Sequence, residues 1–199
     1  LLAEIRRARG AGRSVILGLG AHVIKVGLNP VIIRLLREGW LTALALNGAG
    51  VIHDFEVAFS GQTSEGVAAR LGTGEFGMAR ETGELLNKAV RSGARRGAGL
   101  GQSVGRLIAR SRFPHKDLSL TAAAFSLGVP ATVHVAIGTD TIHFHPGASG
   151  AALGQTSLRD FFLFSDVVAG LEGGGVYLNV GSAVILPEVF LKAIAFCSA

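Results

Sequence analysis

Apolar positions along the chain fall into two kinds of run. Ser14 to Leu19, Leu41 to Leu46, Ala131 to Ala136 and Val176 to Val180 are short and almost unbroken, the first bounded by Gly12 and Gly20. Such runs are expected for strands covered on both faces. Between them the apolar residues recur with helical spacing. Asn29-Pro30 predicts the start of a helix, with Asn supplying a cap and Pro the first helical position, and Gly39 its end. Further helices are predicted around Asp54 to Phe59, over Phe76 to Arg95, and over Leu100 to Arg112, where Leu100, Val104, Leu107 and Ile108 share a face. Three more follow: one capped by Ser119 and stopped by Gly128, one from Ser157 to Ala169, and one from Pro187 to Phe196. Gln62 to Gly74 is polar and glycine-rich and reads as a surface excursion. Strands alternating with helices predict an α/β fold with a mostly parallel sheet and helices on both faces, a single domain over residues 1–199.

Composition sharpens this. The chain is 49% hydrophobic and 17% charged, with 29 glycines among 199 residues, which excludes a disordered protein. A mean hydropathy of +0.46 raises the question of a membrane span. The longest uncharged stretch, Leu118 to Thr139, is broken by Gly128-Val129-Pro130 and diluted by His134, three threonines and two serines, so it does not qualify. Cys197 is the only cysteine, which points away from a disulfide framework and toward a cytoplasmic setting. The opening Leu1 to Arg7 reads as an amphipathic helix rather than a signal peptide, and the absence of an initial Met suggests a piece of a longer protein. The net charge of +5 is concentrated between Arg80 and Arg112, where eight basic residues face Glu81 and Glu84. No aromatic residue interleaves them before Phe113. A solvated helix face or a subunit contact is therefore expected there, and neither nucleic acid nor membrane as a partner.

Candidate chemistry sits where strands end. Ligands of open α/β sheets bind beyond the carboxyl ends of the strands, where glycines let the backbone approach and helix N-termini offer N–H groups. Each strand here is followed by such a loop: Gly18-Leu-Gly20-Ala21-His22, Asn47-Gly48-Ala49-Gly50, Gly138-Thr139-Asp140, and Asn179-Val-Gly181-Ser182. None is a complete dinucleotide fingerprint or P-loop, and tight turns that need glycine for geometry alone would look the same. After the second loop, His53 and Glu56 stand three residues apart. A helix starting near His53 would put both on one face, as a proton carrier with a carboxylate neighbour. Asp54 fits a helix N-cap equally well, and His53 a polar turn residue. His143 and His145 would share a face in a strand and stand close to Asp140, but a third ligand at a fixed spacing is lacking, so no metal is expected.

The order of these loops resembles deoxyhypusine synthase and its bacterial homologues. The segments that carry the resemblance are Asn47-Gly-Ala-Gly-Val-Ile-His-Asp54, Val133-His-Val-Ala-Ile-Gly-Thr-Asp140, and Tyr177-Leu-Asn-Val-Gly-Ser-Ala-Val-Ile-Leu-Pro187. It extends from about Ser14 to Lys192. The resemblance implies a Rossmann-like, three-layer fold that binds NAD, assembled as a homotetramer, acting on a polyamine or related amine. It places Gly20, Ala21, His22, Asn47, Gly48, Ala49, Gly50, Gly138, Thr139, Gly181 and Ser182 at the cofactor. Catalysis falls to His53, Glu56 and Asp140, with Asp140 on the substrate amine. The family's catalytic lysine matches none of Lys25, Lys88, Lys116 and Lys192 and is expected after Ala199, and Val184-Ile185-Leu186 stands where the family has Lys-His-His. A non-catalytic oligomeric module on the same fold is therefore the alternative.

Overall fold

A computed structural model of the chain describes residues 1–63 and 80–198. The helices are α1 (Leu2–Gly10), α2 (Ala21–Lys25), α3 (Asn29–Arg37), α4 (Gly48–Ser60), α5 (Arg80–Arg96), α6 (Leu100–Ala109), α7 (Leu120–Leu127), α8 (Gly150–Ala169) and α9 (Ile185–Cys197). The strands are β1 (Val15–Leu19), β2 (Ala43–Asn47), β3 (Ala131–His134) and β4 (Val176–Val180), and short 3-10 turns occupy Lys116–Leu118 and Thr141–His143. All pairings are parallel, in the order β3-β2-β1-β4. The chain therefore builds outward from β1 to β3, then returns to lay β4 on the other side of β1. The direction of strand addition reverses between β1 and β4, and in open α/β sheets that reversal is where ligands bind.

The period of the strands explains the three layers. Val15, Leu17 and Leu19 of β1, with Leu44 and Leu46 of β2 and Val133 of β3, point to one face, in a core shared with residues of α1 to α7 and the start of α8. Ile16, Ala43 and Ala45 point to the other, under Phe164 and Val168 of α8 and Leu186 and Ala193 of α9. β1 is buried along its whole length, as its uninterrupted apolar sequence predicts, whereas β4 is half-buried to exposed. Among the described residues no helix is long and apolar enough to cross a membrane.

Several sequence expectations shift at their edges. The predicted helix over Phe76 to Arg95 is seen from Arg80 onward, and most of the Gln62 to Gly74 excursion lies outside the described residues. α8 begins at Gly150 rather than Ser157, because Ser149 caps it by accepting from the Ala152 N–H. Ser119 and Gly128 bound α7 as expected, the glycine with φ +69°. Asn29 does not cap α3. It is the first residue of the helix itself, and its Nδ2 donates to the Leu118 carbonyl at 2.8 Å, tying α3 to the turn before α7.

Candidate active site at the carboxyl edge of the sheet

The four glycine loops converge on one edge. At β2 the chain turns into α4 without a spacer, and Asn47 Oδ1 accepts from the Gly50 N–H at 2.8 Å. No acidic residue lies in the first turn of α4 itself, so its N-terminal N–H groups and the positive end of its dipole face the edge. The helix starts at Gly48 rather than near His53, which moves His53 and Glu56 into its second and third turns. Their spacing still brings them together, with His53 Nδ1 3.0 Å from Glu56 Oε2 and both side chains buried.

Asp54, between them, turns the other way. Its carboxylate accepts from the backbone N–H groups of Leu120 and Thr121 and from the hydroxyls of Ser119 and Thr121. It helps to cap a helix, but α7 rather than its own, taking the first two N–H groups beside the N-cap Ser119. Burial pushes its carboxyl above the usual carboxylate range, and the hydrogen bonds from Thr121, Ser119 and Leu120 oppose that rise. Asp160 serves α6 in the same way. Its Oδ2 accepts from the N–H groups of Gly101 at 2.9 Å and Val133 at 2.8 Å, and burial raises its carboxyl to about 7. Both of these acids are structural.

Asp140 reaches the edge from the loop after β3. An ideal Cβ on Gly48 would lie 2.0 Å from Asp140 Oδ2, so this carboxylate rests against the first residue of α4 in the space that glycine leaves. His53 is near enough to act on its charge. The structure thus pairs His53 with Glu56 within α4 and sets Asp140 against the first residue of the same helix. Burial raises the Asp140 carboxyl, with His143, Thr139 and His53 pulling it back.

His143 and His145 do not share a strand face. His143 closes a 3-10 turn whose first polar group is Asp140, because the Gly138-Thr139 turn ends β3 early. His143 Nε2 stands 3.8 Å from Asp140 Oδ2. His145 points instead at α5, where a Cβ on Gly83 would come within 2.5 Å of its ring. The loop is fastened to α5 by Asn87 Nδ2, which donates to the Ile142 carbonyl at 3.0 Å, and by Arg91, which donates to the Gly147 carbonyl. Asn87 is a residue that pattern reading passes over, because its partner is 55 positions away. Among the described residues no cluster of three or more His, Cys, Asp or Glu side chains is arranged to hold a metal.

On the β1–β4 side the loops touch. The Gly20 N–H donates to the Val180 carbonyl at 2.9 Å, and a Cβ on Gly20 would lie 1.9 Å from the Gly181 carbonyl oxygen. Ala21 and His22 open α2, with His22 exposed. Ser182 is buried, and its Oγ accepts from the Leu186 N–H at 3.2 Å. Gly138, with φ +104° and open space around it, and exposed Thr139 lie at the β3 end. His134, at the end of β3 opposite Asn47, is buried against Phe164, and burial lowers its pKa to about 4.

No family model matches the chain. Among curated proteins it is 35% identical over 91 residues, 46% of its length, to the bifunctional arginine dihydrolase/ornithine cyclodeaminase AgrE of Nostoc sp. (strain PCC 7120 / SAG 25.82 / UTEX 2576), of which it covers 13%. Among solved structures it is similar to ArgZ, an arginine dihydrolase from the ornithine-ammonia cycle in cyanobacteria, at a TM-score of 0.58 and 20% identity, over 96% of this chain and 25% of that one. AgrE in its ternary complex with ornithine and NAD+ superposes at 0.50 and 20% identity, over 98% of this chain and 32% of that one. A candidate deoxyhypusine synthase from Entamoeba histolytica also matches, at 0.48 and 10% identity over 92% of this chain and 75% of that one, too distant to bear on chemistry. The chain thus spans a third or less of the AgrE and ArgZ chains it matches. The deoxyhypusine synthase resemblance holds at the level of the α/β fold, and the named similarities of higher identity are to AgrE and ArgZ.

Proposed function

We propose that the chain is an NAD-binding domain that acts on a small amine, of the ornithine type rather than a polyamine. The observation that carries this reading is Asp140 resting against Gly48, the first residue of the helix that also holds the His53–Glu56 pair, at the edge where the glycine loops converge. The likeness to AgrE, whose ternary complex holds ornithine and NAD+, supports it.

The edge suits a dinucleotide. The first turns of α2 and α4 carry no acidic residue, and helix N-termini of that kind accept phosphate. Gly20, Ala21, His22, Asn47, Gly48, Ala49 and Gly50 would hold the cofactor on that side, with Gly138, Thr139, Gly181 and Ser182 around it. NAD+, when bound, supplies a hydride acceptor. Asp140 would take the substrate ammonium by a charge-assisted hydrogen bond. His53, oriented by Glu56, would accept the proton that the amine must lose. The same reading expects a homo-oligomer, and the exposed Phe162, Leu163, Leu191, Ile194 and Phe196 on α8 and α9 are an apolar surface of the kind subunits bury.

The test is direct. Titration calorimetry with NAD+ is expected to give saturable binding, and addition of L-ornithine to the NAD+ complex to raise absorbance at 340 nm. Absence of NAD+ binding would sink this proposal and favour a non-catalytic module on the same fold.

A further inference from the structure

One buried polar atom of the Asp140 turn has no partner. His143 Nδ1 accepts from the backbone N–H groups of Gly138 at 3.1 Å and Asp140 at 3.2 Å. A ring nitrogen that accepts hydrogen bonds carries no proton, so in the neutral ring the proton belongs to Nε2. The accepting Nδ1 makes the ring neutral, and burial, which lowers its pKa against the pull of Asp140, favours the same form. Nε2 is buried and makes no hydrogen bond, and the His143 side chain is only 3% exposed. The Nε2 to Asp140 Oδ2 distance of 3.8 Å is too long for a hydrogen bond and too short to admit a water between them.

A buried donor without an acceptor costs about 1–3 kcal/mol, and the nearby acceptor is a carboxylate. From these distances we infer that His143 is a positioning residue for Asp140, its Nε2–H closing onto Oδ2 when the carboxylate takes up an ammonium group. This rests on the reading that Asp140 binds the substrate amine. Hydrogen bonds of catalytic groups are often long in a free enzyme and tighten in its complex. In the free protein burial favours the neutral acid of Asp140. An arriving cation favours the carboxylate, which attracts the His143 N–H more strongly, so the two contacts reinforce one another. The groups that face Asp140 are His53 and the Gly48 backbone from α4, and His143 and the Thr139 hydroxyl from its own turn. α5 meets the turn through Asn87, which is neutral.

The Nδ1 bonds also hold the loop, so the test must separate the two nitrogens. His143→Asn keeps an acceptor where Nδ1 stands and removes the donor, and His143→Gln restores an N–H at the reach of Nε2. The readout is the pH titration of the Asp140 carboxyl 13C signal, assigned with Asp140→Asn, in protein alone and with a saturating alkylamine probe, L-ornithine. With amine present, H143N is expected to titrate at higher pH than wild type and to bind L-ornithine about tenfold more weakly, the loss of one hydrogen bond to a charged group. H143Q is expected to lie close to wild type. If H143N fails to fold, the His143 Nε2–H proton signal of the wild type decides: it is expected to move downfield when L-ornithine binds, and an unmoved signal overturns the inference. Asp140 midpoints that ignore the presence of the donor overturn the inference while leaving NAD+ binding intact. An Asp140 signal in wild type that ignores L-ornithine overturns the amine reading instead.

Discussion

Gly48 shows how one missing side chain shapes the edge. The space its Cβ would occupy is held by the end of Asp140, a side chain that can swing aside at the cost of its position. Gly48→Ala is therefore expected to cost the fold little, because alanine is a better helix former than glycine, while displacing Asp140. Affinity for the amine should fall at least about tenfold, a lost charged hydrogen bond, with the melting temperature within a few degrees of wild type. Gly20 is the opposite case. Its backbone is ordinary, φ −87° and ψ 169°, but its Cβ would strike the Gly181 carbonyl, which cannot rotate away. Gly20→Ala is expected to destabilise the protein by about 1–3 kcal/mol, as overpacking does, measurable by urea denaturation. At the buried His134 the sign follows from its lowered pKa of about 4. The unfolded chain protonates it near its ordinary pKa of 6.5 while the folded one keeps it neutral. Its stabilisation is complete above the unfolded value and is lost as pH falls toward 4, by about 3 kcal/mol across that span. The stability difference between wild type and His134→Gln should shrink correspondingly between pH 7 and pH 4.

At the scale of elements, two helices begin on carboxylates supplied from elsewhere. α7 starts on Asp54 of α4, and α6 on Asp160 of α8. Each acid satisfies backbone N–H groups that a helix leaves open, and each joins elements far apart in the chain. Asp54→Ala leaves the N–H groups of Leu120 and Thr121 without that acceptor in a buried site, with an expected cost of roughly 2–4 kcal/mol in chemical denaturation. These connections also mark the limit of reading the sequence. The strands were legible because unbroken apolar runs have few other uses, and Ser119 and Gly128 because a cap and a left-handed stop act on their own helix. Asp54 was visible as a capping residue, but the helix it caps lies more than sixty positions on. Asn29 deceived for the same reason, since its amide serves the chain before α7. His143 and His145 would share a face only in a strand, and the chain forms a 3-10 turn there instead. The pairing of His53 with Glu56 survived a misplaced helix start because it depends on spacing alone.

For the whole molecule, the layered arrangement separates work between the two faces of the sheet. The α2–α7 face holds the larger core and supplies α4 to the site, while the α8–α9 face covers small residues, Ala43 and Ala45, with aromatic and aliphatic ones. The outer surface of α8 and α9 remains apolar. If copies assemble through it, Phe162→Glu together with Ile194→Glu should lower the mass measured by light scattering to that of one chain and leave the melting profile cooperative.

The position of β4 has a consequence for how the protein comes to be. Its partner in the sheet is β1, and Val15 pairs with Val176 across most of the chain. Contacts so distant in sequence close slowly, because the intervening chain must be gathered first. The crevice between β1 and β4 is thus expected to be assembled late, after β1, β2 and β3 have associated with their helices. In refolding by dilution from urea, the NAD+ binding proposed above should return with the slowest phase seen by the burial of Tyr177, not with the early gain of helix.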